Sequence, residues 1–154
     1  MKNRETVQAK DRLDYLFSRV NEFSEDLELQ SHWARYLCVR VSGFIETSIR
    51  SILSEYAKKT SAPSVANYVE NRLNSFQSPN MERILQLLGA FNSTWQDELK
   101  SLTEGEPKDA IDGIKANRDL IAHGENVGIT YTTIQRYYQN ALMVVELIED
   151  QCNS

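Results

Sequence analysis

Arg118 and His123 stand five positions apart in the segment Asn117-Arg118-Asp119-Leu120-Ile121-Ala122-His123-Gly124. A guanidinium is permanently charged and presents a rigid fork of donors suited to holding an anion. An imidazole in water titrates near pH ~6.5, so it can give or take a proton under ordinary conditions. On a continuous helix five residues turn the chain by about 500°, which leaves the two side chains roughly 140° apart. Gly124 alters that expectation, because a glycine just past a helical stripe is the usual left-handed residue that closes a helix. His123 then falls in the last turn, where its side chain can swing toward the surface carrying Arg118. A plain structural reading stands beside this one: an imidazolium at a helix C-terminus gains roughly 0.3–1 kcal/mol from the helix dipole.

Other chemistries lack their residues. The only histidines are His32 and His123 and the only cysteines Cys38 and Cys152, none at the close spacing of paired zinc ligands. No G-x-S-x-G, glycine-rich phosphate loop or H-E-x-x-H occurs. Neither a metal nor a cofactor is implied. His32, beside Trp33, reads as a partly exposed residue at the head of a helix.

The elements that must position these groups read as helices. Glycine (6) and proline (3) are scarce among 154 residues, which favours long helices over many short strands. Three apolar stripes step by three and four residues: over 5–28 through Leu13, Leu16, Val20, Phe23 and Leu27, over 31–59 through Leu37, Val41 and Ile45, and over 131–152 through Ile134, Tyr138 and Val145. Gly43 interrupts the second stripe and suggests a close helix crossing. Between the long stripes, Pro63, Asn80, Asn92-Ser93-Thr94 and Gly105-Glu106-Pro107 mark starts of shorter helices. The expected fold is all-α, an up-and-down bundle of three long helices and several short ones, forming a single domain over residues 1–154.

Composition narrows the function classes. Hydrophobic residues make up 41% and charged residues 25%, the balance of a globular chain. No apolar run reaches the ~18 residues of a membrane span, and no signal-peptide core opens the chain, so no membrane role is expected and a cytoplasmic location is. A net charge of −5 excludes a strongly basic nucleic-acid coat. A local basic cleft remains open, because phosphates respond to nearby charge rather than to the sum.

The run Arg118-Asp119-Leu120-Ile121-Ala122-His123 resembles the R-x4-6-H motif of the HEPN superfamily, with a polar residue directly after the arginine. His32-Trp33-Ala34-Arg35-Tyr36, Val41-Ser42-Gly43-Phe44-Ile45-Glu46 and Ala122-His123-Gly124 are similar to the RiboL-PSP branch, and the resemblance extends from about residue 30 to 150. It implies a metal-independent endoribonuclease, with RNA as partner and Arg118 and His123 as catalytic residues. It further implies a homodimer whose two motifs share one cleft, acting in stress response or antiviral defence. RNA cleavage needs a base for the 2′-OH proton, an acid for the leaving 5′-oxygen and positive charge for the phosphorane, which these residue types supply.

Around that pair, Asp119 is a candidate to orient His123 or the partner's Arg118, and also an ordinary helix carboxylate. Glu46 is a candidate to hold Arg118, against the plainer pairing with Arg50 four residues on. Lys115, Arg136, Arg40 and Arg50 are candidates to line an RNA groove. The acidic ending Glu146, Glu149 and Asp150 reads as a surface that repels RNA. A second reading belongs to another class: a non-catalytic helical module that dimerises or binds RNA or protein, such as a component of a toxin–antitoxin pair with a cognate antitoxin or defence-system partner.

Overall fold

A computed structural model describes all residues from Met1 to Ser154. It contains seven α-helices and no strand: α1 (Arg4–Ser18), α2 (Leu27–Thr60), α3 (Pro63–Leu73), α4 (Met81–Phe91), α5 (Ser93–Thr103), α6 (Glu106–Ala122) and α7 (Tyr131–Asn153). None of them is long and apolar enough to cross a membrane.

Local chemistry sets most of the helix starts. Asn3, Asp26, Asn80, Asn92 and Thr130 each turn a side-chain oxygen onto a backbone N–H of the first turn. Pro63 and Pro107 open α3 and α6, where a missing N–H leaves no bond unmade. The first apolar stripe is not one helix over 5–28. The α-helix ends at Ser18, whose hydroxyl donates back to the Tyr15 carbonyl at 2.6 Å, and a 3-10 turn follows over Arg19–Phe23. The polar run Ser24-Glu25-Asp26 then restarts the chain as α2, and Leu27, which the stripe placed inside, is 79% exposed.

α1, α2, α6 and α7 make the bundle, running alternately up and down. Trp33 on α2 donates to the Leu16 carbonyl of α1 at 2.9 Å, and Tyr138 on α7 donates to Asp14 of α1 at 2.7 Å. α2 sits at the centre, packing against α1, α3, α6 and α7, with α3–α5 inserted between its end and α6. One apolar core runs through all seven helices, including Leu13, Leu37, Ile49, Ile84, Leu99, Ile111 and Val145, with Leu73 from α3 at its margin. Each aliphatic side chain buried this fully contributes about 1.5–3 kcal/mol. The Phe17 and Tyr138 rings stack at 4.7 Å, and Phe44 meets Tyr138 edge-on at 6.0 Å. Tyr138 is therefore part of the core, as its place in the third stripe predicts.

Gly43 marks no helix crossing. A Cβ built there meets nothing within 4 Å, and the glycine lies instead in a shallow groove of about 230 Å³ between α1 and α2. The close approach falls at Gly113, where the Tyr137 ring of α7 lies 2.8 Å from the position a Cβ would take.

Candidate active site

α6 carries the Arg–His segment to its C-terminus and stops it there. Glu106 and Asp109 in the first turn oppose the positive end of the helix dipole. At the other end Gly124 adopts φ +76°, its N–H bonds the Ile121 carbonyl at 3.0 Å, and the Glu125 N–H bonds the Leu120 carbonyl at 2.9 Å. That pair of bonds is the Schellman closure, which needs a left-handed residue after the cap and so favours glycine. His123 is the cap itself, with φ −87° and ψ 8°. Its backbone N–H donates to the Asp119 carbonyl at 3.0 Å, its side chain makes no hydrogen bond within the chain, and the residue is exposed.

Arg118 lies on the same exposed end of α6, its side chain 37% accessible. Asp119 is held from both sides: Lys115 Nζ donates to its two oxygens at 2.9 and 2.8 Å, and Arg118 Nη1 reaches Oδ1 at 3.3 Å. The Lys115 hydrogen bond holds the Asp119 carboxyl below its ordinary value, opposed by partial desolvation and aided by Arg118. Asp119 is thus an acceptor near neutral pH rather than a proton donor. It positions Lys115 and Arg118 and makes no contact with the His123 imidazole. Two cations thus share one carboxylate, and the His123 imidazole at the end of the same helix bonds none of the three.

The remaining candidates separate. Glu46 does not hold Arg118; it accepts from Arg50 at 2.9 Å, the i,i+4 pairing. Arg50 lines no groove at the motif. Its guanidinium also donates to the Phe76 and Asn74 carbonyls at 2.8 and 3.1 Å, fastening the segment after α3 to α2. Arg136 lies over the Tyr137 ring and 3.9 Å from Glu106, at the start of α6. That contact ties its guanidinium to the residue that opens α6, whereas Arg118 lies in the last turns of the same helix. Arg40 lies on the exposed face of α2, donating to the Tyr36 hydroxyl at 2.8 Å. Glu149 belongs to no acidic surface: it is buried, accepting from the backbone N–H groups of Lys2 and Asn3 at 2.7 and 2.8 Å.

One contact at the site has no local sequence signal. Arg35 on α2 donates to Asn126 at 3.0 Å, pinning the segment that follows His123. Its other nitrogen bonds His32 Nδ1 three residues back. The i,i+3 spacing of His32 and Arg35 is visible in the sequence; the partner 91 residues away is not. No three His, Cys, Asp or Glu side chains come together in a way that could hold a metal ion, and both cysteines are free thiols.

The chain is an all-α bundle with Arg118 and His123 near the capped end of α6. The family model described as RiboL-PSP-HEPN matches residues 4–154, and the chain belongs to that family. No curated protein and no solved structure matches it.

Proposed function

We propose that the protein is an endoribonuclease that cuts RNA without a metal, using Arg118 and His123 of two chains in one shared cleft. The observation that carries this reading is an exposed imidazole that bonds nothing, at the end of the helix whose last turns carry Arg118 and Lys115. In the reaction, one His123 takes the proton from a ribose 2′-OH as that oxygen attacks phosphorus. The second His123 gives a proton to the departing 5′-oxygen, so the products are a 2′,3′-cyclic phosphate and a 5′-hydroxyl. Arg118 offers paired donors to the phosphorane oxygens, where charge develops. Lys115 adds charge, and Asp119 keeps both cations in place. The resemblance to HEPN ribonucleases supports action in stress response or antiviral defence, with control by a cognate partner protein, and the lack of a helix able to cross a membrane is compatible with work in the cytoplasm.

A second reading is a non-catalytic helical module that dimerises or binds RNA or protein, and the net charge of −5 is the observation in its favour. Incubating purified protein with RNA in EDTA, with end-group analysis and light scattering, separates the two. Dimers that release cyclic-phosphate ends support the nuclease. Monomers at high concentration, or a strict need for Mg²⁺, count against it.

A further inference from the structure

The outer face of α2 carries a group of residues that packing does not explain. His32, Arg35, Tyr36, Arg40 and Gly43 fall within one arc of the helix, on the side away from the core residues Leu37, Val41 and Ile45. Between Glu28 and Glu46 this helix has no carboxylate. Arg35 and Arg40 form no ion pair; their partners are Asn126, His32 and the Tyr36 hydroxyl, which leave the charge uncompensated. The Tyr36 ring is 41% exposed, with the Arg40 guanidinium 5.7 Å from its centroid and Trp33 packed beside it at 5.0 Å. His32 lies between Arg35, which its Nδ1 meets, and Glu28, whose carboxylate is 3.7 Å from its Nε2. Past Arg40 the face opens into the groove of about 230 Å³ whose lining includes Gly43, Thr47 and Arg12 and no carboxylate. Arg12 also lacks an ion-pair partner.

This face adjoins the Arg118–His123 end of α6, because Arg35 bonds Asn126 in the segment directly after the motif. From Arg35 to Gly43 the helix rises about 12 Å. That length fits a run of about three stacked bases.

We propose that this face of α2 is the track that holds a single-stranded stretch of RNA beside the cleavage motif. Tyr36, backed by Arg40, stacks a base. Arg35 and Arg12 take phosphates on either side, and the groove beside Gly43 receives the next base. The proposal rests on the nuclease reading only in taking RNA as the ligand. An exposed aromatic ring flanked by guanidinium groups suits unstacked bases, which duplex RNA does not offer. An acidic polypeptide would use the charges but not the ring.

The test uses the full chain carrying His123→Ala, so that RNA is bound and not cut, with fluorescence anisotropy of a short labelled single-stranded RNA. Tyr36→Ala is expected to weaken binding about tenfold, and Tyr36→Phe to restore it. The Arg12→Ala/Arg35→Ala pair should lower the slope of log K against log salt by about 1.4. Gly43→Leu fills the groove without removing any contact, and should weaken binding while thermal stability holds or rises. Unchanged affinity in Tyr36→Ala and Gly43→Leu overturns the track, as does equal displacement by duplex RNA or by polyglutamate. Cleavage by the unmodified chain is measured separately. RNA held on the track by a protein that cuts nothing refutes the nuclease and keeps the track. Cutting that is indifferent to Tyr36 and Gly43 refutes the track and keeps the nuclease.

Discussion

Two glycines with equal room around them should respond to the same substitution with opposite signs. At both Gly43 and Gly124 an added Cβ meets no atom within 4 Å, so neither replacement by alanine creates a clash. The backbone distinguishes them. Gly43 is an ordinary residue inside the 34-residue α2, where alanine is favoured over glycine by about 0.8–1 kcal/mol. Gly124 holds φ +76° in the closure of α6, where a Cβ adds about 1–2 kcal/mol of strain. The gap between the two variants is therefore about 2–3 kcal/mol. For a chain of this length each kcal/mol moves Tm by about 2–4 °C, so Gly43→Ala should melt a few degrees above the unmodified protein and Gly124→Ala a few degrees below. Scanning calorimetry reads both. Gly124→Asn should recover part of the loss, since asparagine tolerates the left-handed region. If Gly124→Ala melted at or above the unmodified protein, the helix closure that sets the position of His123 would be misassigned. A loss in Gly43→Ala would restore a close crossing at that site.

Three other outcomes follow from buried or bonded groups. Arg50→Ala should lose about 2 kcal/mol in urea titration, because two backbone carbonyls after α3 lose a charged donor, whereas Glu46→Ala should lose under ~0.5 kcal/mol; equal losses would mean the Arg50–Glu46 pair matters more than the loop. Glu149→Ala should lose about 3 kcal/mol by the same measurement, with Glu149→Gln between it and the unmodified chain, since two backbone N–H groups depend on that carboxylate; an unchanged midpoint would contradict its buried placement. Desolvation pushes the Cys38 thiol up to about 12 from 9.0, so its contribution is whole below pH 9 and is lost as pH climbs toward 12. Burial, with the bond to Asp14, likewise raises the Tyr138 phenol. Thermal melts should therefore drop between pH 9 and 11, less steeply in Cys38→Ala, and the same slope in both proteins would remove Cys38 as a cause.

Legibility in the sequence tracked the range of the interaction. Pro63, Asn80, Asn92 and Gly105-Glu106-Pro107 place four helix starts through contacts within three or four residues. The Gly124 closure is equally local, and the position of His123 was readable with it. The split of the first stripe at 19–26 was not, because Phe23 and Leu27 keep the apolar spacing and the one side-chain cap in the interval, Asp26 accepting from the Leu29 N–H, marks only the restart. Gly43 misleads for a related reason: glycine fits a tight crossing and an open groove alike, and only neighbours distant in sequence decide. Glu149 sits 146 residues from Asn3, and Arg35 sits 91 from Asn126. Such pairs leave no periodic trace. Among the basic candidates, Lys115 lies with Arg118 through its bond to Asp119, while Arg50 and Arg136 are drawn away by carbonyls and by Glu106.

The most direct measurement is the rate at which the unmodified chain and His123→Ala cut one labelled single-stranded RNA in EDTA, with melting curves run alongside. His123 is exposed and its side chain bonds nothing, so the variant should melt as the unmodified protein does. Its cleavage rate should fall by about 10²–10⁴-fold, the usual contribution of a positioned acid or base. Cutting at an undiminished rate by the folded variant would contradict the role assigned to His123 and the mechanism built on it.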